Sequence, residues 1–326
     1  MSFASSAREE VLSSPITNEC CKLSFLSAVI HSCGELTKRG SEIFVELKTD
    51  LFSLCDKVND CLKTLYGEVA SIRKDEDNNV NKAERYVVSL PKSITNRVLF
   101  DCGIIKYNID DDFSLLTGLD EHVLENECCK YSYIKGVFAT ASTSNIVLED
   151  SHKPRQSGGY HYEFDLTSTD FADDFSNLLF EVGITNKRKE RGNNQIIYIK
   201  EAEKVSDLLA IVGAYKSLLN LQNEMALREV RNNVNRQTNC LNANITKTVN
   251  ASIKQVKAIE KIRDIIGLDA LPDSLRELCE LRLANREESL DTLTKLSTRR
   301  ITKSGIYHQF QKIIKMSENL KQKGKK

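Results

Sequence analysis

No segment of the 326 residues holds an apolar run of about 18 or more, so no membrane span is expected. The opening stretch, MSFASSAREEVLSS, has no apolar core and carries Glu9 and Glu10, so it does not read as a signal peptide. The ten cysteines include no CxxC pair and no Cys/His spacing that would build a tetrahedral site, so neither a disulfide framework nor a metal is expected. Cys20-Cys21 and Cys128-Cys129 are adjacent pairs. Neighbours on a helix point about 100° apart, so at most one of each pair faces a core. The thiols read as reduced, small core-fillers of a cytoplasmic protein, with a redox sensor as the minor alternative. Net charge is also missing, since 46 Lys and Arg balance 46 Asp and Glu. The balance fails locally. From Arg299 onward, Arg299, Arg300, Lys303, Lys312, Lys315, Lys321, Lys323, Lys325 and Lys326 face one acid, Glu318, which suggests that this end meets a polyanion.

The chain is too long for one ordinary core, and it contains a repeat. Cys20-Cys21-Lys22 recurs 108 positions later as Cys128-Cys129-Lys130. Each copy opens an apolar helix. A strand with period-2 alternation follows in each: Ser41 to Lys48, with Ile43, Val45 and Leu47 on one face, and Tyr160 to Leu166. Ser157-Gly158-Gly159 reads as a hairpin turn before the second strand. Amphipathic helices come next, near Leu51 to Tyr66 and Phe171 to Val182. Strand-like segments close each copy: Glu68 to Arg73 and Arg85 to Leu90, then Ile184 to Lys189 and Gln195 to Lys200. The expected unit is α-β-β-α-β-β, twice, with the alternation showing in one strand of the first pair. Small residues Ser27, Ala28 and Ser32 in one helix and Gly136, Ala139 and Ala141 in the other allow close approach of the two backbones.

The segments Leu26 to Gly34 and Ile134 to Ser142 resemble degenerate LAGLIDADG helices of homing endonucleases. That resemblance implies a pseudo-two-fold pair with a metal-binding acid closing each helix. The matching positions are Cys33 and Ala141, and neither supplies the hard oxygen ligand that Mg²⁺ needs. Glu35 lies two residues further on, with Thr143 as its counterpart. Glu42, Glu46, Glu163 and Asp165 on the outward strand faces would repel phosphate. No nuclease activity, and no enzyme of another kind, is expected.

A helix is predicted from about Ala202 to Asn223, with Val205, Leu208, Leu209, Val212, Tyr215 and Leu219 on one face. A polar tract follows, rich in Asn and Arg. Asn is a poor helix-interior residue, so a hydrated linker is one reading. The other is a secondary DNA contact through Arg231, Asn235, Arg236 and Lys247. The run RNNVNRQTNCLNANITKTVNASIKQV, from Arg231 to Val256, resembles the most recognisable stretch of the WhiA family. That family joins a degenerate LAGLIDADG pair to a C-terminal helix-turn-helix.

The last part of the chain reads that way on its own pattern. A helix from Val249 to Ile266 stops at Gly267. Pro272-Asp273-Ser274 starts another, with Leu275, Leu278 and Leu281 or Leu283 inward. Glu288 and Ser289 open a short helix with Leu290, Leu293 and Leu296 inward. After the turn Ser297 to Ile301, Thr302 caps a final helix whose Ile306, Phe310, Ile313 and Ile314 define a buried face. Gly305 permits close contact with the preceding helix. The candidate DNA-binding set is Ser289, Lys295, Thr298, Arg299, Arg300, Ile301, Thr302, Lys303, Ser304, Gly305, Tyr307, His308, Gln311, Lys312 and Lys315. Gln311 or Ser304 suits base edges, and Arg299, Arg300, Lys312 and Lys315 suit phosphates. Asp110-Asp111-Asp112, before Phe113, reads as a helix start, where acids are favoured, in preference to a metal site.

The expected fold is α+β: a duplicated LAGLIDADG-like domain followed by an all-α helix-turn-helix domain. The expected divisions are a first half 1–110, a second half 111–221, a polar linker 222–248, a helical domain 249–320 with the helix-turn-helix at 288–320, and a basic tail 321–326. The expected function is a non-catalytic, DNA-binding regulator in the cytoplasm, associated with the nucleoid. The resemblance implies roles in transcriptional control, cell division or chromosome segregation. The alternative is a protein-interaction scaffold of the division machinery with incidental DNA binding. Double-stranded DNA is the expected partner, and another regulatory protein is a further candidate. No cofactor, metal, membrane or small-molecule substrate is expected.

Overall fold

The computed structural model of the protein describes residues 2–40, 42–75, 84–107, 113–147 and 159–320. The chain divides into two compact units, 1–228 and 229–326. Each is described by itself.

The first unit opens with α1 (Phe3–Ser13) and α2 (Glu19–Cys33). β1 (Gly34–Arg39), β2 (Glu42–Thr49), α3 (Phe52–Tyr66), β3 (Ser71–Lys74) and β4 (Tyr86–Ser89) complete the first copy. After α4 (Lys92–Asp101) and a short hairpin, β5 (Ile105–Tyr107) and β6 (Phe113–Leu115), the second copy begins. It consists of α5 (Glu127–Ala141), β7 (Ser142–Ser144), β8 (Tyr162–Leu166), α6 (Thr169–Glu181), β9 (Lys187–Arg191) and β10 (Asn194–Ile199). α7 (Ala202–Val212) follows, and then α8 (Tyr215–Ile266).

The two sheets have the same order, β1-β2-β4-β3 and β7-β8-β10-β9, with antiparallel neighbours. The alternation in β2 buries Ile43, Val45 and Leu47, and in β8 it buries Tyr162, Phe164 and Leu166. Each sheet lays that face on its own core. Leu54, Val58 and Leu62 of α3 fill the first, and Phe171, Phe175 and Leu178 of α6 fill the second. Phe3, Ala4, Ala7 and Val11 of α1, which no periodicity announced, join the second core.

α2 and α5 pack against each other with repeat-equivalent residues in register. Ser32 Oγ and Thr140 Oγ1, separated by 108 positions, lie 2.5 Å apart. Gly136 stands opposite Ala28 at the same offset. A Cβ on Gly136 would lie 2.6 Å from Ala28 Cβ and 2.8 Å from the Phe25 carbonyl, so only glycine permits this approach. Ser27, expected at this seam, instead donates to the Cys102 carbonyl at 2.7 Å.

Several expectations change. Asp110, Asp111 and Asp112 lie outside the described residues, and Phe113–Leu115 is a strand, not a helix start. Ser157 and Gly158 of the expected hairpin turn, and the basic tail 321–326, are also outside them. The helix expected over Ala202 to Asn223 breaks at Gly213, which adopts φ 78° to end α7. The tract weighed as a hydrated linker is helical instead. α8 contains neither Gly nor Pro, and its Asn residues face solvent without interrupting the backbone ladder. Glu10 of α1 caps this helix from outside, accepting from the Lys216 and Ser217 backbone amides at 2.6 and 3.0 Å.

The adjacent cysteines divide as helix geometry requires. Cys21 and Cys129 are buried and Cys20 and Cys128 exposed, one of each pair inward. Spacing along the chain does not show how the two pairs meet. The pairing of α2 with α5 brings Cys20, Cys21, Cys128 and Cys129 together, with all four sulfurs within 4.8 Å of one another.

Candidate nucleic-acid interface

The second unit folds the end of α8 with α9 (Asp273–Ala284), α10 (Leu290–Leu296) and α11 (Lys303–Asn319). Ala258, Ile259 and Ile262 of α8 meet Leu275, Leu278 and Cys279 of α9, Leu293 of α10, and Ile306, Phe310 and Ile313 of α11. Fully burying an apolar side chain of this size contributes about 1.5–3 kcal/mol each, so this small core rests on few residues. Leu290 is half-buried, and Leu296, expected inward, is exposed.

The turn between α10 and α11 is held by side chains. Ser289 Oγ caps α10 by accepting from the Thr292 amide at 3.1 Å, and Thr302 Oγ1 caps α11 by accepting from the Gly305 amide at 3.2 Å. The Lys303 ammonium pairs with Asp291, which sets the first turns of α10 and α11 side by side. Arg299 Nε pairs with Glu277 Oε2 at 2.8 Å, and the Thr298 hydroxyl donates to the same carboxylate, so the turn is tied to α9. Ile301 turns inward against the core. Its Cγ1 would lie 2.9 Å from a Cβ on Gly305. The glycine therefore makes room for the turn's isoleucine and not for the preceding helix.

On the outer side of α11, Lys303, Ser304, Tyr307, His308, Lys312 and Lys315 are exposed, and Gln311 is half-buried. Lys295 and Arg300 are exposed nearby. Arg300, Lys312 and Lys315 have no ion-pair partner among the described residues. Asn235, Arg236 and Lys247 are exposed on α8, whereas Arg231 is half-buried and engaged within the chain.

Pattern reading missed Arg282. Charged side chains are almost never fully buried unless paired, yet Arg282 is 1% exposed. Its Nη1 donates to the Glu288 and Asn285 carbonyls at 2.6 and 3.2 Å, and its guanidinium lies 5.3 Å from the Phe310 ring centre. It joins α9, the loop before α10 and α11. Burial lowers its pKa, with Glu288 acting against that. Its neighbours in sequence, Leu281 and Leu283, masked it as part of a leucine face.

The first unit's outer strand faces differ from expectation too. Glu42 pairs with Lys92 at 3.0 Å and Glu46 with Arg73 at 3.4 Å. Glu163 takes Arg191 at 2.9 Å and His161 at 2.9 Å, and Asp165 accepts from Asn194 at 2.6 Å. Burial raises the Glu163 pKa, but the His161 and Arg191 hydrogen bonds outweigh it and hold the carboxyl below its usual range. Glu42, Glu46 and Glu163 are answered by cations and Asp165 by an amide on neighbouring elements, which weakens the expected repulsion of phosphate. At the helix ends that would hold nuclease acids, α2 closes on Cys33 and α5 on Ala141, and Glu35 pairs with Lys48 at 2.8 Å.

Family models of the WhiA N-terminal LAGLIDADG-like domain, the WhiA LAGLIDADG-like domain and the WhiA C-terminal HTH domain match residues 19–105, 130–231 and 234–317. A WhiA described as a probable cell division protein from Clostridium beijerinckii is 35% identical over 323 residues, covering 98% of this chain and 99% of its own. Its counterpart from Bacillus mycoides is 32% identical over 322 residues, covering 98% of each. The crystal structure of full-length WhiA from Thermatoga maritima shares the fold, with TM-score 0.57 and 22% identity over 98% of this chain and 99% of that one. An α+β duplicated LAGLIDADG-like unit, a helix-turn-helix and full-length identity above 30% together show that the chain belongs to the WhiA family.

Proposed function

We propose that this chain is a non-cutting DNA-binding protein that reads double-stranded DNA through α11 and serves the control of cell division. One observation carries the reading: α11 buries Ile306, Phe310 and Ile313 while its opposite side presents Lys303, Ser304, Tyr307, His308, Lys312 and Lys315 to solvent. A helix anchored on one face and polar-basic on the other suits the major groove. Ser304, Tyr307 and Gln311 would face base edges, and Arg300, Lys312 and Lys315 would meet phosphates. The caps Ser289 and Thr302, together with Thr298 and Gly305, set the angle of approach. Asn235, Arg236 and Lys247 offer a secondary phosphate contact along α8. The description of the relatives supports a division role. Transcriptional control or chromosome segregation is the route by which a DNA-bound, nucleoid-associated cytoplasmic protein would act on division. The helix ends at Cys33 and Ala141 support the absence of cutting.

The test uses the full chain and a randomised duplex pool, read by anisotropy across a salt series. The logarithm of affinity should fall with the logarithm of salt at about −0.9 per phosphate contacted. A flat response, or Mg²⁺-dependent nicking of plasmid DNA, overturns the proposal. A protein partner beside DNA is supported by exposed Val230, Val234, Leu241, Ile245 and Val249, which recur at helical spacing on α8.

A further inference from the structure

The repeat places two Cys-Cys pairs at the first turns of two helices, and the fold sets those turns face to face. We propose that Cys20, Cys21, Cys128 and Cys129 form a tetrathiolate site for a single soft divalent cation, Zn²⁺ by its chemistry, that ties the two halves of the first unit together.

The geometry rests on backbone constraints outside the cysteines. Gly136 against Ala28 and the Phe25 carbonyl fixes how near α5 comes to α2. Ser32 and Thr140 fix the register at one end of the seam. At the other end Ser132 Oγ donates to the Cys21 carbonyl at 2.6 Å, beside the thiols themselves. Four sulfurs within 4.8 Å of one another therefore surround one point by construction of the fold. A tetrahedral zinc with bonds of about 2.3 Å sets its sulfurs roughly 3.8 Å apart, a contraction that side-chain rotation supplies. Sulfurs this close suit one ion, whereas a cubane iron–sulfur cluster would hold them apart across its own volume.

The surroundings favour thiolate. Cys20, Cys21, Cys128 and Cys129 all lie in first turns, where unpaired amides and the positive helix end stabilise anions. A divalent cation would bind the four sulfurs as thiolates and displace their protons to solvent. Buried Cys21 and Cys129 form the closed side, and exposed Cys20 and Cys128 form the entrance. The site lies at the helix ends opposite Cys33 and Ala141, so it owes nothing to the cutting chemistry of the fold.

The test uses the full chain, reduced and stripped with a chelator, then titrated with ZnCl₂ or CoCl₂. Elemental analysis should find about one Zn²⁺ per chain, and Co²⁺ should give the visible d–d and sulfur charge-transfer bands of a tetrahedral thiolate complex. The double variant Cys20→Ser/Cys128→Ser changes only the exposed thiols. It should keep its far-ultraviolet circular dichroism and lose more than about a hundredfold in zinc affinity, because ligands matter more than the outer partners that alone give 10–100-fold. Cys240→Ser, exposed and elsewhere, should bind as the parent does. Failure of the parent to retain Zn²⁺ against a weak chromophoric chelator overturns the proposal. So does equal binding by the double variant, or a Cys20–Cys129 or Cys21–Cys128 disulfide in the reduced preparation.

Discussion

The strand faces of the first unit and the outer side of α11 both carry many charges, but they use them differently. On the strands, Glu42, Glu46 and Glu163 are each matched by a cation from a neighbouring element. On α11 and the turn before it, Arg300, Lys312 and Lys315 have no ion-pair partner among the described residues. Charges satisfied within the fold contribute little to an outside ligand, since binding must first break them. Charges left without an internal partner are available to a polyanion. Pairing, and not net charge, which is zero for the whole chain, distinguishes the proposed DNA-facing surface.

The strongest way to break the comparison is to remove what holds α11 in place. Phe310 is fully buried and sits under the Arg282 guanidinium. Phe310→Ala should cost about 3–5 kcal/mol through the lost burial and the cavity left behind. In a thermal melt the second unit should lose its cooperative transition, and DNA affinity should vanish with it. Retained affinity would mean that the exposed side of α11 is not the binding surface.

The first unit offers a contrasting response to pH. His31 Nδ1 shares a hydrogen bond with Tyr133 Oη at 2.9 Å and its ring stacks 5.2 Å from Phe171, while Nε2 has no hydrogen-bond partner among the described residues. Burial lowers its pKa from 6.5 to about 4. The unfolded chain therefore takes up a proton near pH 6.5 while the folded chain does not. Stability is complete above that pH and is lost as pH falls toward 4, by up to about 3 kcal/mol. His31→Phe should flatten this slope in denaturant titrations at pH 7 and 5. An unchanged slope would place the titrating group elsewhere.

Much of this was legible because burial imposes period. Ile43, Val45 and Leu47 announced β2, and Ile306, Phe310 and Ile313 announced the buried side of α11. The repeat was legible because Cys20-Cys21-Lys22 reappears intact. What pattern missed had no period to show. β1, Gly34–Arg39, is a mostly exposed edge strand without apolar alternation. The Asn-rich part of α8 looked like a linker by residue type, and the better signal was the absence of Gly and Pro between Gly213 and Gly267. Ion pairs and the four-thiol cluster depend on neighbours distant in sequence, which spacing along one chain does not encode.

Surface changes sharpen the same comparison without touching the fold. Ser304→Ala and Gln311→Ala should leave the melting curve near that of the parent and weaken specific binding by roughly 1–3 kcal/mol for each base no longer read. Lys312→Ala should instead reduce the salt slope by about 0.9 and weaken all sequences alike. Gel shifts on a selected site and on a scrambled duplex separate the two outcomes. Equal weakening on both duplexes for Gln311→Ala would remove it from base reading.

The smallest effect is expected at Glu277, where the two kinds of surface meet. Its carboxylate holds Arg299 at 2.8 Å and accepts from Thr298, so it pairs internally with a residue of the turn. Glu277→Gln keeps the shape and an acceptor for Thr298 but removes the charge. Exposed ion pairs contribute about 0–1 kcal/mol, so stability should change little. Arg299 would be released toward phosphate, and a repelling charge beside it would disappear. Both act in one direction: affinity should rise by less than about tenfold, and the salt slope should steepen by about 0.9, one further phosphate neutralised. If affinity falls instead, the pair serves to hold the turn in its docking angle, and internal pairing near α11 is then part of recognition and not a competitor with it.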